Sequence, residues 1–352
     1  GAAKLADGSF DVGNVLIVIA ALGLGRLITL PFAGTISDRF GRKNSALIGV
    51  LCYAVYFVGI VFSPNMYVAY AFAIMGGAAN SFLDTGVIPA CLEILVESSG
   101  LATIFTKLAV SLGQLLLPTM IGFVAANELS FKSIFFLMAA LIIIDGILIA
   151  FMPVPPMNSN VKSGENAASQ KMKFTPAAIA LIAIGFTCTS TFQLWLNCNQ
   201  EFGKLVGMAD PSRIQSYYST GTIIAVLLTA FLMKKKVQPL KFLVLYPAIA
   251  MTMLIIVYIV KTPFICLLGG FVIGFSAAGG VLQMATAAAN DMFPANKGKI
   301  TSIIMIASSL ANYIILNIAG ILTKNGGAEG PLHVILLNIG ITFIGILLAV
   351  FV

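Results

Sequence analysis

Long apolar stretches separated by short polar or charged breaks run through the chain from end to end. Eleven of them hold roughly the 20 mostly apolar residues a helix needs to cross a bilayer. They fall at 13–34, 45–63, 67–95, 101–125, 132–153, 175–199, 214–233, 242–260, 263–290, 299–323 and 331–352. The breaks are charged or rich in Gly, Pro and Asn, residues that punctuate helices. Unbroken apolar runs, in place of short alternating strands, predict an all-α membrane protein and exclude a transmembrane barrel. The first run is long, Gly-rich and carries Arg26, unlike the short apolar centre of a cleavable signal, and is read as a mature helix.

Composition removes the other classes. Of 352 residues, 59% are hydrophobic and 9% charged, against about 25% charged in soluble domains. A water-soluble globule and a disordered chain are both excluded. The net charge of +7 comes from Lys and Arg placed between apolar runs and never gathered into one stripe, so no nucleic-acid partner is expected. Five cysteines, Cys52, Cys91, Cys188, Cys198 and Cys266, lie scattered in apolar stretches without a CxxC pair, so neither a disulfide framework nor a zinc site is indicated. No nucleophile with its own base, phosphate loop or metal cluster is apparent, and neither enzymatic activity nor a cofactor is expected. His333, the only histidine, opens the last run beside Pro331 and reads as an interfacial side chain.

Alternate breaks differ in positive charge, which sets orientation. One side holds Arg39, Arg42, Lys43, Lys162, Lys171, Lys173, Lys234, Lys235, Lys236, Lys241, Lys297 and Lys299. The other holds Lys4, Lys132, Lys204, Arg213, Lys261 and Lys324. Twelve against six places the Arg39 loop in the cytoplasm and residue 1 outside the cell membrane. A Pro-, Ser- and Asn-rich segment, 154–173, reads as a cytoplasmic linker. It divides an N-terminal bundle, 1–153, with five runs from a C-terminal bundle, 174–352, with six.

Between the first two runs stands Gly34, Thr35, Ile36, Ser37, Asp38, Arg39, Phe40, Gly41, Arg42, Lys43, the pattern GxxxDRxGRK. It resembles the signature loop of the major facilitator superfamily, which joins the second and third of twelve helices. A degenerate repeat at Met233–Lys241 keeps the charge and loses the Asp and Gly pattern. The resemblance implies two pseudo-symmetric helical bundles, with eleven helices present and the first family helix missing from this chain. It implies alternating access to a site near the midplane. It also implies a conformational latch of Gly34, Asp38, Arg39, Gly41 and Arg42, with Asp38 facing a helix's positive end and the arginines pairing with Glu93 or Glu97.

Charges inside apolar runs cost about 2.5–3.5 kcal/mol each and should face a cavity or a partner. Three stand out: Arg26, Asp84 and Asp145. The segment Gly76–Glu93 (GGAANSFLDTGVIPACLE) resembles the corresponding helix of the fucose and proton symporter branch, which implies proton coupling at Asp84. A structural ion pair of Asp84 with Arg26 is the other reading. Arg26 and Asp145 are candidates as counter-ion or substrate contact, with Asp145 favoured as structural.

Polar residues recur at helical spacing: Ser190, Gln193 and Asn197, with Trp195 beside them; Gln283, Thr286 and Asn290; Ser308 and Asn312; Lys107, Ser111 and Gln114; and Asn80 one turn before Asp84. Each set serves equally as interhelical glue. Together Asn80, Gln114, Gln193, Trp195, Asn197, Gln283, Asn290 and Asn312 offer the amides and one aromatic face that a sugar-like or polyol solute requires. The expectation is a monomeric secondary transporter in the lipid bilayer, moving such a small molecule with protons. A proton antiporter exporting drugs or metabolites, and a non-transporting sensor or scaffold, are the alternatives.

Overall fold

The computed structural model describes residues 12–94, 99–152, 174–234, 239–293 and 297–352. They form twelve α-helices and, among the described residues, no strand. In order these are α1 (Val12–Phe40), α2 (Arg42–Phe62), α3 (Met66–Ile94), α4 (Ser99–Ala126), α5 (Lys132–Phe151) and α6 (Pro176–Leu205). They continue as α7 (Arg213–Lys234), α8 (Pro239–Val260), α9 (Pro263–Ala277), α10 (Val281–Met292), α11 (Lys297–Gly326) and α12 (Gly330–Phe351). Eight described stretches are long and apolar enough to cross a membrane, the last of them, Ile300–Phe351, taking in both α11 and α12.

Two expected elements differ. The motif segment Gly34–Phe40, read as a loop, is helical and continues α1, so that only Gly41 separates α1 from α2. Gly41 has φ +94°, where a side chain would be strained. Its N–H bonds the Ser37 carbonyl at 3.1 Å, and its own carbonyl accepts from the Ser45 N–H at 3.2 Å. The run expected as one helix at 263–290 is two helices, α9 and α10, parted at 278–280, with Gly280 at φ +121°. Two adjacent glycines, Gly279 and Gly280, supply too little helical preference to hold the run straight.

Helix starts follow local chemistry. Thr175 and Thr262 each precede a proline at the first helical position. Their hydroxyls accept from the N–H of Ala178 at 3.2 Å and of Ile265 at 3.4 Å. Each hydroxyl satisfies one amide that the first turn leaves unpaired.

The chain forms two compact units. The first comprises Gly1–Lys107, Leu116–Met157 and Asn312–Lys324; the second Leu108–Leu115, Asn158–Ala311 and Asn325–Val352. In the first unit α3 packs extensively on both α1 and α2, and α5 packs on α2. In the second, α6 packs on α12 and α7 on α9. Two buried clusters fill this unit, one around Leu181, Tyr246 and Met284, the other around Trp195, Tyr218 and Leu254.

Candidate functional site

The first unit brings a charge pair together inside its helices. On α1, Gly25 lies so close to α3 that a Cβ there would stand 2.0 Å from the Ile74 carbonyl oxygen. On α3, a Cβ at Gly77 would stand 2.0 Å from that of Leu22. The two backbones therefore touch, and Asp84, two turns along from Gly77, shares its face of α3. Arg26 Nη2 donates to Asp84 Oδ2 at 2.7 Å, with the side chains 23% and 33% exposed. Ser81, between Gly77 and Asp84, donates its hydroxyl to the Arg26 carbonyl at 3.1 Å. Arg26 Nε is buried with no hydrogen-bond partner, so the guanidinium is engaged at one corner only. Tyr53 of α2 stands within electrostatic range of both charges, and its ring stacks on Phe57. Pairing offsets the cost of two charges within apolar helices.

At the motif end, hydroxyls tie α1 and α2 to α3. Ser37 donates to the Thr85 carbonyl at 2.6 Å and accepts from Arg42 Nη1 at 2.9 Å. Ser45 donates to the Phe82 carbonyl at 2.9 Å and lies 3.3 Å from the Thr85 hydroxyl. Arg39 is exposed, and Lys43 donates to the Met152 carbonyl at 3.4 Å. The side chains of Asp38 and Glu93, and residue Glu97, lie outside the described residues, so the acid proposed for the motif arginines falls there too. Sequence reasoning missed the Ser37, Ser45 and Thr85 ties. Small hydroxyl residues within a turn of the motif were the available signal.

In the second unit, Gln193 and Asn197 occupy one face of α6, half-buried, with Asn197 Nδ2 donating to Gln193 Oε1 at 3.0 Å. Trp195 faces the other way. It is 2% exposed in the core, with its ring beside Gly269 of α9. Gln193 and Asn197 therefore share a half-buried face, and the indole lies in the core on the other side. Gln283 of α10 is half-buried, and the Asn290 side chain lies outside the described residues. Hydroxyls of α7 reach both α9 and the break that follows it. Thr222 donates to the Gly274 carbonyl at 3.1 Å and Thr229 to that of Gly279 at 3.2 Å, with Thr229 also 2.9 Å from the Tyr246 hydroxyl. The Gly279–Gly280 pair inside an apolar run was the missed signal.

Thr229→Val keeps the side chain's shape and deletes its hydroxyl, leaving buried polar groups short of a partner at a cost of about 1–3 kcal/mol. The thermal midpoint of the purified protein is expected to fall. An unchanged midpoint would mean that the break stands without this tie.

The remaining candidates lie on other helices. Asn80 and Gln114 are half-buried on α3 and α4. Asn312, on α11, has a buried Oδ1 without a partner, and its neighbour Tyr313 receives a 3.5 Å hydrogen bond from the Tyr70 hydroxyl. Asp145 is exposed on α5 among Ile143, Ile144 and Ile147, also exposed, while Arg26 has Asp84 as its acid. The described residues hold no cluster of three His, Cys, Asp or Glu side chains suited to a metal.

Two units whose described elements are all helical, with membrane-length apolar helices and a charge pair set within them, have the architecture of a polytopic membrane transporter. The chain belongs to the Major Facilitator Superfamily, whose family model matches residues 7–315. It is 34% identical over 351 residues to the uncharacterized MFS-type transporter YfkL of Bacillus subtilis, across 97% of this chain and 87% of that protein. To the inner membrane transport protein YdiN of Escherichia coli it is 35% identical over 330 residues, across 90% and 77% of the two chains. Its fold resembles the crystal structure of a D-xylose-proton symporter with a TM-score of 0.74 at 18% identity, covering 97% of this chain and 87% of that one. The protein is a multi-pass membrane transporter, not an enzyme.

Proposed function

We propose that this transporter moves a small polar solute, sugar-like or polyol, together with protons, and that Asp84 carries the coupling proton. The observation that carries the reading is the 2.7 Å pair of Asp84 with Arg26, both partly exposed within apolar helices. Ionised Asp84 is held by the guanidinium. Protonated Asp84 loses that attraction and leaves Arg26 a cation in need of another acceptor. Occupancy by a proton and rearrangement around Arg26 are thereby linked. The amides of Asn80, Gln114, Gln193, Asn197, Gln283, Asn290 and Asn312 are the candidate solute contacts, since several hydroxyls require several donors and acceptors. The motif, through Gly34, Asp38, Arg39, Gly41 and Arg42 with Glu93, is assigned the latch. The fold shared with a symporter supports a transport cycle of this kind without assigning the solute.

Purified protein in vesicles with a pH-sensitive dye sealed inside tests the proposal. Adding a panel of sugars and polyols outside should acidify the lumen with at least one of them, as solute and proton enter together. A lumen that turns alkaline on solute entry would overturn symport in favour of exchange.

Orientation in the cell membrane is proposed from the charge bias: motif end cytoplasmic, opposite end outside. Cysteines introduced at Asn325 and Met152, both exposed, separate the two ends. A membrane-impermeant maleimide added to intact cells should label Asn325→Cys and spare Met152→Cys. The reverse pattern would invert the assignment.

A further inference from the structure

The α6–α12 seam of the second unit carries polar groups that the transport reading does not use. Trp195 and Asn199 stand one turn apart on α6, opposite the face of Gln193 and Asn197, because two residues along a helix turn it by about 200°. Both are almost wholly buried, at 2% and 1% exposure. Trp195 Nε1 and Asn199 Oδ1 each lack a hydrogen-bond partner, so donor and acceptor face the same region without reaching one another.

That region is a cavity lined by both residues and by Cys198 and Phe202 of α6 and Ile335 and Asn338 of α12, with about 10 Å³ open to a water-sized centre. One water requires about that space and two to four polar partners. Asn338 adds a third. Its Nδ2 donates to the Thr191 carbonyl at 3.1 Å, and its Oδ1 accepts from Thr342 at 3.3 Å, which leaves Oδ1 a second lone pair. Just beyond, Thr191 and Thr342 lie 2.8 Å apart, continuing the polar seam.

We infer that one water molecule binds in this cavity, accepting from the Trp195 indole N–H and donating to Asn199 Oδ1 and Asn338 Oδ1. It joins α6 to α12 and fixes the rotation of α6 about its axis. That rotation in turn holds the opposite face, with Gln193 and Asn197, in place. A solute would be a poor occupant, since the space accommodates one small molecule of water's size and offers a matched donor and acceptors.

Trp195 is the only tryptophan in the chain, so the indole N–H can be read in the intact protein by ultraviolet resonance Raman spectroscopy. Wild type should show the indole mode shifted to its hydrogen-bonded position. Asn199→Ala, which enlarges the cavity and leaves the water its other partners, should retain that shift. Asn199→Leu, which fills the space with an apolar group, should lose it. A wild-type indole free of hydrogen bonding would overturn the assignment, with no variant needed. Loss of the shift in both variants would also overturn it, showing a direct Trp195–Asn199 bond in place of water.

Discussion

Replacing Asp84 by Asn is expected to abolish accumulation of solute against its gradient while sparing energy-independent exchange. A pH difference of one unit supports about a tenfold accumulation per coupled proton. The variant should bring the inside-to-outside ratio to unity under the same gradient. Asn keeps the size and a hydrogen-bonding oxygen, so Arg26 retains an acceptor, but nothing at position 84 titrates. A lone Arg26 inside the helices also carries the penalty of an unpaired charge, and lower yield would blur the reading. Arg26→Gln combined with Asp84→Asn separates the two effects. The double variant removes both charges, so a purely structural pair predicts that folding and accumulation recover together. The coupling role predicts recovered folding without accumulation. A single Asp84→Asn protein that still concentrates solute under a pH gradient would defeat the proposal.

Gly77→Ala is expected to have the largest effect on stability. The added carbon would stand 2.0 Å from the Leu22 carbonyl oxygen and 2.7 Å from the Arg26 nitrogen, both backbone atoms that cannot rotate aside. α1 and α3 would have to separate, drawing Arg26 away from Asp84. The expected cost is about 3 kcal/mol, at the upper end of the range for overpacked interiors. Gly113→Ala on α4 is the control, because a Cβ there meets nothing within 4 Å and gains helix preference. Thermal midpoints of the two purified variants compare them directly, and equal midpoints would remove the close-approach argument.

Most of the helices were legible because a bilayer reads apolarity locally. Each run that satisfies the membrane does so within its own 20 or so residues. The Arg26–Asp84 pair was legible for a related reason: two charges in apolar runs each require a partner, however far apart in the chain. Asp145 obeyed the same rule on paper and differs in fact because α5 packs on α2 alone among the extensive contacts of its unit. That leaves most of the helix exposed, which the charge rule alone does not reveal. Trp195 was read beside a polar stripe as an aromatic face for a solute, because nearness in sequence does not say which way a side chain points. Its neighbours at 193 and 197 share a face from which 195 points away. The α9–α10 break escaped notice because two glycines in an apolar run are compatible with either a straight or an interrupted helix. Thr229, which bonds the break at Gly279, lies 50 residues earlier.

The Arg26–Asp84 pair also bears on how the protein is made. The partners are 58 positions apart, and ribosomes add about 5–20 residues per second, so Arg26 is made about 3–12 s before the acid that pairs with it. During that interval Arg26 lacks its Asp84 partner and favours the aqueous or headgroup side of any host that holds the nascent helix. The paired arrangement of α1 is therefore completed only once α3 has been made.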